Sequence, residues 1–146
     1  MSKKIYLDYQ ATTPVDPKIL KKMLPFFSEN FANPHSNNHQ DGRLANEVIE
    51  EARENVANLI NAQPSEIIFT SGATESNNLA LKSIAKNYFE NKCQIISCKT
   101  EHKCVLESCH ELEKEGFKVT YLDVDEEGLI KIDELENILK KEKSLV

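Results

Sequence analysis

The second half of this sequence alternates short apolar segments with longer amphipathic ones, and this alternation constrains the fold more than any other feature. Residues 67–69, 94–98 and 118–122 are predicted strands. Two helical patterns lie between them: the first carries Leu79, Leu81, Ile84, Ala85 and Tyr88, and the second carries Val105, Leu106, Cys109 and Leu112. Strands joined by helices of this length form right-handed crossovers. The sequence therefore predicts an α/β fold with a sheet that is at least partly parallel.

The first half of the chain is predicted to be mainly helical. Asp16 followed by Pro17 is a favourable helix start, with Asp at the N-cap and Pro at the first helical position. Apolar residues then recur at three- and four-residue spacing from Leu44 to Ile60, which indicates a long amphipathic helix. Between these helices, Asn33-Pro34-His35-Ser36 lies in a polar loop and has the composition of a turn.

Composition and charge exclude some classes of function. The chain has 146 residues, of which 40% are hydrophobic, and this is enough for one modest core of a soluble protein. A net charge of −6 argues against nucleic-acid binding. No apolar run is long enough to span a membrane. The strand-like Ile5-Tyr6-Leu7 follows the start so closely that we expect no signal or transit peptide, and hence a cytoplasmic location.

The cysteines are expected to be reduced thiols. Cys93, Cys98, Cys104 and Cys109 form no Cys-x-x-Cys pair and do not resemble the framework of a small secreted domain. A zinc site that also uses His102 and His110 is the alternative, but the spacing fits none of the usual zinc patterns. We therefore predict no metal site here.

An acidic segment after the third predicted strand resembles a calcium loop. Asp123-Val124-Asp125-Glu126-Glu127-Gly128, with Ile130 and Glu134, nearly reproduces the loop of an EF-hand. However, a strand precedes it where an EF-hand requires a helix, and Glu127 stands where Asp or Asn is usual. We therefore predict an acidic turn that leads from the strand into a helix over residues 133–141.

The junction at Ser71-Gly72-Ala73-Thr74 is the strongest candidate for a binding site. A predicted strand leads directly into a helix there, and the free N–H groups and dipole of a helix start attract a phosphate. Gly72 allows close approach of the backbone, and the Ser71 and Thr74 hydroxyls can add donors. The alternative is that Ser and Thr are ordinary helix caps. The spacing is neither that of a P-loop nor that of a dinucleotide fingerprint.

A second polar loop occupies the equivalent place after the next predicted strand. Lys99-Thr100-Glu101-His102 follows residues 94–98, and ligands in parallel sheets gather at the carboxyl ends of strands. Both loops are therefore expected to face one pocket. On the local sequence alone, a histidine at this position is more often a surface or capping residue at the start of a helix.

Four separate motifs, in order along the whole chain, resemble the opening of a cysteine desulfurase of the NifS/IscS type, within the class-V aminotransferases. These motifs are Ile5-Tyr6-Leu7-Asp8-Tyr9-Gln10-Ala11-Thr12-Thr13-Pro14, Asn33-Pro34-His35-Ser36, Phe69-Thr70-Ser71-Gly72-Ala73-Thr74-Glu75 and Thr100-Glu101-His102-Lys103. The resemblance implies the type I fold of pyridoxal-phosphate (PLP) enzymes, here as an incomplete large domain. It divides the chain into an N-terminal arm (1–15), N-terminal helices (16–62) and the first part of the PLP-binding α/β domain (63–146).

The resemblance also implies an activity, a cofactor and partners. Such enzymes are homodimers that bind pyridoxal 5′-phosphate, remove sulfur from L-cysteine to leave L-alanine, and pass it as a persulfide to iron–sulfur scaffolds, other acceptor proteins and tRNA thiolation. By resemblance, Ala73 and Thr74 contact the phosphate of the cofactor. His102 stacks on the pyridine ring and takes part in proton transfer, so it is the implied catalytic residue.

The chain departs from the family pattern in two respects. No lysine lies in the Ser-x-His-Lys context that supplies the Schiff-base lysine, and no cysteine lies in the family's mobile nucleophile loop. Cys104 is interpreted as a packed or surface thiol, because residues two apart on a helix do not face each other. We expect residues 1–146 alone to be inactive. The alternative function is a non-catalytic interaction module, or a remnant that pairs with desulfurase subunits.

Overall fold

The part of the chain that the computed structural model describes, residues 5–87, 94–141 and 144–146, forms six α-helices and three strands. Tyr88 and Cys93, which entered the sequence predictions, lie outside the described residues. The helices are α1 (Pro17–Met23), α2 (Pro25–Ser28), α3 (Gln40–Leu59), α4 (Ala73–Asn87), α5 (Lys103–Lys114) and α6 (Ile132–Leu139). The strands are β1 (Gln94–Cys98), β2 (Lys118–Leu122) and β3 (Ser144–Leu145).

The three strands form a parallel sheet in the order β2-β1-β3. In the register of the first pair, Gln94 lies opposite Lys118 and Cys98 lies opposite Leu122. The crossover between β1 and β2 is α5, so this part of the chain is the predicted βαβ unit. The two longer strands have the bounds that the apolar pattern predicted, and the parallel sheet is confirmed.

A small core holds α4 and α5 against this sheet. Ala85, Ile95, Cys109 and Leu112 are buried and pack together, one from α4, one from β1 and two from α5. Partly buried side chains surround them, namely Val105, Phe117, Val119 and Tyr121. Burial, with the nearby Glu113 carboxylate as a second cause, raises the pKa of the Tyr121 phenol to about 12.

The local helix signals in the sequence are also confirmed. The Asp16 carboxylate accepts a hydrogen bond from the Lys18 amide at 2.7 Å, and Pro17 is the first residue of α1. Later in the chain, α5 is followed by Gly116 in the left-handed conformation, with φ of 90°. Both are the capping arrangements that those residue types favour.

Two predicted extended segments are not strands of the sheet, and these predictions were wrong. Residues 5–7 and 67–69 do not form strands, although Ile67 has extended dihedral angles. A strand exists only where a neighbouring segment pairs with it, and the sheet contains only β2, β1 and β3 among the described residues. Ile5 and Ile68 are instead strongly exposed.

The acidic segment after β2 is a turn, as predicted. The Asp125 carboxylate accepts hydrogen bonds from the amides of Glu127 and Leu129, at 3.0 and 2.9 Å. A single antiparallel bridge between Val124 and Ile130 closes the turn before α6 begins. Asp125 is one of the carboxylates that the calcium interpretation assigns to a cation. Here it orders the loop through its hydrogen bonds to the backbone.

The chain divides into two compact units, one ending at Ile68 and the other beginning at Phe69. Within the first unit, the Asn33 side chain accepts from the His35 amide at 2.9 Å and its carbonyl accepts from the Ser36 amide at 3.0 Å, which forms the predicted turn. The candidate site lies entirely in the second unit.

Candidate functional site

The junction that leads into α4 is ordered by its own hydroxyl and carboxylate groups. The Thr70 hydroxyl lies 2.7 Å from the Ser76 hydroxyl, across the turn. The Ser71 amide and hydroxyl both donate to Glu75, at 2.7 and 2.6 Å. The Ser71 hydroxyl was expected to be available for a ligand, but a carboxylate of the same turn engages it.

This leaves the first-turn amides of α4 and the Thr74 hydroxyl as the donors at the junction. Helix α4 begins at Ala73, and the first N–H groups of a helix have no partner within it. Nothing lies within 4 Å of the position that a Cβ would occupy at Gly72, so the turn is open on that side. The junction can therefore admit an anion from solvent.

His102 is positioned as the N-cap of α5. Its dihedral angles are extended (φ −60°, ψ 143°), and its Nδ1 accepts a hydrogen bond from the Cys104 amide at 3.2 Å. The preceding loop is tied to the next one, because Lys99 Nζ lies 2.7 Å from the Asp123 carboxylate and the Lys99 amide donates to the Leu122 carbonyl. The Lys99 ammonium also lowers the pKa of Asp123.

Helices α4 and α5 lie side by side and run in the same direction. Near their N-terminal ends, Asn77 Nδ2 donates to Cys104 Sγ at 3.1 Å, and near their C-terminal ends Lys86 pairs with Glu115 at 2.8 Å. Parallel helices place their positive dipole ends on the same side. The starts of both helices therefore favour an anion in the same region of the molecule.

Along α4 and α5, from their starts to Lys82 and Glu111, lies an open cavity of about 330 Å³. Its lining comes from one face of each helix, namely Thr74, Asn78, Lys82, His102, Lys103, Cys104, Glu107, Ser108 and Glu111. Two of the three predicted site residues, Thr74 and His102, thus lie together. Ala73 is not among the residues that line this cavity, although it begins the same helix.

The cavity carries both signs of charge. Lys82 and Lys103 bring positive charge, and Glu107 and Glu111 bring negative charge. Lys114 donates to Glu111 at 2.6 Å and lowers the pKa of that carboxyl, to which Lys82 adds a smaller effect. Glu111 is already paired with Lys114, so it neutralises less of the positive charge that Lys82 and Lys103 bring to the cavity.

Contrary to the prediction from the sequence, Cys104 faces His102. The distance from His102 Nδ1 to Cys104 Sγ is 3.0 Å. The spacing rule holds only when both residues are helical, whereas His102 is the extended residue before the helix. The imidazole can therefore fold back over the first turn and reach the thiol.

Two polar stripes that line the cavity were not predicted from the sequence. Thr74, Asn78 and Lys82 are spaced by four along α4, and Lys103, Glu107 and Glu111 are spaced by four along α5. Such spacing places residues on one face of a helix. A search for polar rather than apolar periodicity finds both stripes from the sequence alone.

Among the described residues, no group of three or more His, Cys, Asp or Glu side chains is arranged to hold a metal ion. Within those same ranges, no helix is long and apolar enough to cross a membrane.

The chain belongs to the aminotransferase class-V family, which matches residues 5–146. It is 54% identical over 142 residues to a probable mitochondrial cysteine desulfurase of Dictyostelium discoideum, covering 97% of this chain and 32% of that protein. It is also 54% identical over 142 residues to the cysteine desulfurase IscS of Rickettsia massiliae (strain Mtu5), covering 97% of this chain and 35% of the relative.

Solved structures show the same fold. A NifS-like protein superposes with a TM-score of 0.81 at 46% identity, over 88% of this chain and 35% of the other. A cysteine desulfurase from Thermococcus onnurineus NA1 superposes with a TM-score of 0.79 at 28% identity, over 91% and 33% of the two chains. The fold is the α/β fold of these PLP-dependent enzymes, present as an incomplete large domain with a parallel sheet. The chain spans about a third of the length of the relatives it matches.

The hydrogen bonds between Ser71 and Glu75 give a testable prediction for the junction. The Ser71 hydroxyl, and after it the Ser71 amide, lower the pKa of Glu75 below its ordinary value of 4.5. Because this pKa is lower in the folded chain, the stabilisation is present above pH 4.5 and is lost as the pH falls through the folded value. We expect Ser71→Ala to raise the Glu75 pKa, since it removes the larger contribution.

Carboxyl NMR titration of the wild-type and Ser71→Ala chains measures this change. Glu111 is the internal control, because its lowered pKa is caused mainly by Lys114 and must not move. An unchanged Glu75 titration in Ser71→Ala would show that the two side chains do not pair in solution.

Proposed function

We propose that this chain is part of a PLP-dependent cysteine desulfurase, and that the cavity between α4 and α5 holds the phosphate end and one ring face of the cofactor. The observation that carries the proposal is that Thr74 and His102, from two different loops, line one cavity. In a protein of this family, that pairing supports the cofactor role that the motifs imply.

The residues present fit a phosphate ester. The Ala73 and Thr74 amides lie in the free first turn of α4, and the Thr74 hydroxyl adds a donor that lines the cavity. Lys82 and Lys103 line the same cavity and supply positive charge for the dianion. We therefore assign phosphate binding to Ala73 and Thr74, with long-range support from the two lysines.

His102 has the hydrogen bonds needed to act as a positioned acid or base. Its Nδ1 accepts from the Cys104 amide, so the neutral imidazole carries its proton on Nε2. That nitrogen can exchange a proton with a bound molecule, while the capping contact holds the ring in place. The planar imidazole of His102 lines the cavity, and a planar ring is also suited to stacking on an aromatic ring.

The cofactor, when bound, supplies an electron-withdrawing ring that stabilises negative charge next to the substrate amino group. The substrate is proposed to be L-cysteine, in line with a solved structure of SspA in complex with cysteine. That chain is 46% identical over 90% of this chain and 38% of its own length, with a TM-score of 0.81. We assign the complete reaction to the full-length protein, because residues 1–146 contain no lysine in a Ser-x-His-Lys context.

The products and partners follow from the same proposal. L-alanine and a protein persulfide are the expected products, with iron–sulfur scaffolds, other acceptor proteins and tRNA thiolation as the destinations of the sulfur. The protein is proposed to be a cytoplasmic homodimer that does not bind nucleic acid directly. We assign no membrane role.

A second candidate is an interaction module that pairs with desulfurase subunits. Large apolar side chains are strongly exposed, among them Leu7 at 87%, Leu59 at 85% and Phe27 at 74%. Apolar exposure of this extent is typical of surfaces that another polypeptide covers. In this case the cavity need not bind the cofactor at all, which separates the two candidates.

The test is the binding of pyridoxine 5′-phosphate to the 146-residue chain, followed by ³¹P NMR or calorimetry. This probe has the ring and phosphate but no aldehyde, so it does not react with surface lysines. We expect Thr74→Val to weaken binding roughly fivefold, the effect of losing one hydrogen bond worth about 1 kcal/mol. His102→Asn should weaken it about threefold, through loss of ring stacking.

Two controls distinguish the cofactor site from the interaction module. Pyridoxine without phosphate should bind far more weakly, because the helix amides lose their anion. His39→Asn is the matched variant: His39 caps α3 through its Nδ1, 3.1 Å from the Gly42 amide, but it lies in the other unit. Equal binding of both ligands, or equal effects of the two histidine variants, would support the interaction module instead.

A further inference from the structure

Cys104 has polar partners that the other two described cysteines of the chain lack. Its Sγ lies 3.0 Å from His102 Nδ1 and 3.1 Å from Asn77 Nδ2. Cys98 has the Thr100 hydroxyl at 3.3 Å, and Cys109 is fully buried in the core, where burial raises the pKa of its thiol. Only Cys104, among these three, pairs with an imidazole.

The Cys104 amide and thiol both lie within hydrogen-bond distance of His102 Nδ1, and they share its one lone pair. When the thiol proton moves to this lone pair, the new Nδ1–H faces the sulfur and the hydrogen bond from the Cys104 amide is given up. The Asn77 side-chain amide donates to the sulfur, which stabilises the thiolate that remains. An adjacent imidazole base is one of the arrangements that activate a cysteine nucleophile.

The helix dipole and nearby charges also act on the Cys104 sulfur. Cys104 is the second residue of α5, so its sulfur lies in the first turn, where the helix dipole favours negative charge. The positively charged Lys82 and Lys103 line the same cavity. Glu107 and Glu111 oppose them, although Glu111 is paired with Lys114.

The sulfur is also accessible, because Cys104 is only partly buried and lines the open cavity of about 330 Å³. A small molecule that enters to bind beside Thr74 therefore meets this thiol.

We propose that Cys104, activated by His102 and Asn77, is a site of thiolation by low-molecular-mass disulfides. The thiol proton passes to His102 Nδ1, and the thiolate attacks one sulfur of the disulfide. A new sulfur–sulfur bond forms at Cys104 while the original one breaks, and the second half leaves as a thiolate that takes up the proton. The disulfide is thus the oxidant, and one equivalent of thiol is released.

The added group lies in the cavity assigned above to the cofactor phosphate. Thiolation of Cys104 therefore excludes a phosphate ester from the cavity, and this consequence rests on the proposed function. The reactivity of the thiol itself does not depend on the cofactor.

The test is reaction of the 146-residue chain with 2-hydroxyethyl disulfide, a neutral probe, followed by peptide mass mapping over time. We expect Cys104 to be modified roughly tenfold faster than Cys98, because thiolate character controls the rate. Cys109 should stay unmodified while the chain is folded. Equal rates at Cys104 and Cys98 would overturn the proposal.

Two variants test the activating groups. His102→Asn keeps an oxygen acceptor for the capping hydrogen bond but removes the base, and Asn77→Asp keeps the shape but replaces the donor with a negative charge. Each should bring the Cys104 rate down to that of Cys98. His39→Asn and circular dichroism are the controls for folding. A Cys104 rate that neither variant changes would rule out activation by this pair.

Pyridoxine 5′-phosphate binding to the thiolated and unmodified chains separates the two proposals. Fast modification of Cys104 in a chain that never binds the ligand refutes the cofactor role and leaves thiolation standing. Normal binding with slow modification refutes thiolation alone. Fast modification with undiminished binding refutes the exclusion of the phosphate ester.

Discussion

Replacing Leu112 with Ala should lower the free energy of unfolding of the α/β unit by about 3 kcal/mol. Leu112 is fully buried and packs with Ala85, Ile95 and Cys109, so truncation leaves a cavity that its neighbours fill only in part. Since small domains are stable by only about 5–15 kcal/mol, the loss is a large fraction of the total. The same packing holds α5 against α4, and with it the relative positions of His102 and Thr74.

Hydrogen exchange of the β1 amides, combined with urea unfolding, measures this loss in the unit that contains the residue. Leu129→Ala is the matched control, because Leu129 is 64% exposed. That variant should change the free energy of unfolding by no more than about 0.5 kcal/mol. Similar losses of unfolding free energy in both variants would mean that this core does not form.

Gly42→Ala is expected to lower the free energy of unfolding of the first unit by about 2–3 kcal/mol. A Cβ at this position would lie 2.1 Å from the Ser36 carbonyl oxygen and 3.0 Å from the Asn33 carbonyl oxygen. Both atoms belong to the backbone of the Asn33–Ser36 turn, so a side-chain rotation cannot relieve the overlap. Either the turn or the start of α3 must move.

Asn46→Ala, at an exposed position of the same helix, is the control for the general effect of adding alanine to α3. It should leave stability unchanged or raise it slightly, because alanine has the higher helix propensity. Denaturant unfolding of the wild type, Gly42→Ala and Asn46→Ala, followed by circular dichroism, measures their free energies of unfolding. A Gly42→Ala chain as stable as the wild type would contradict the close approach of the turn to the helix.

Local patterns in the sequence were sufficient for the elements that local interactions form. The bounds of β1 and β2, the Asp16 cap of α1 and the Gly116 end of α5 all follow from residues within one or two turns of each other. The prediction failed at residues 67–69, which have strand composition but lie outside the sheet. Strand pairing depends on a distant partner, which no local window contains.

The residues of the candidate site were also predicted only in part from the sequence. Thr74 and His102 were identified from motifs, and both line one cavity. The expectation that each follows a strand of the sheet held for His102 but failed for Thr74, because residues 67–69 are not a strand. Asn77 and the contact between His102 and Cys104 were not found, because the first needs the packing of α4 on α5 and the second needs the extended cap.

The amino-acid sequence by itself determined the βαβ order and the helix starts, among them the start of α4 at Ala73 with its free first amides, since these follow from periodicity and capping. Only the tertiary structure decided that α4 and α5 run in parallel and bring Asn77, His102 and Cys104 together. The physical reason is that burial of Ala85, Cys109 and Leu112 in a shared core fixes the two helices relative to each other, and that packing is not local in sequence.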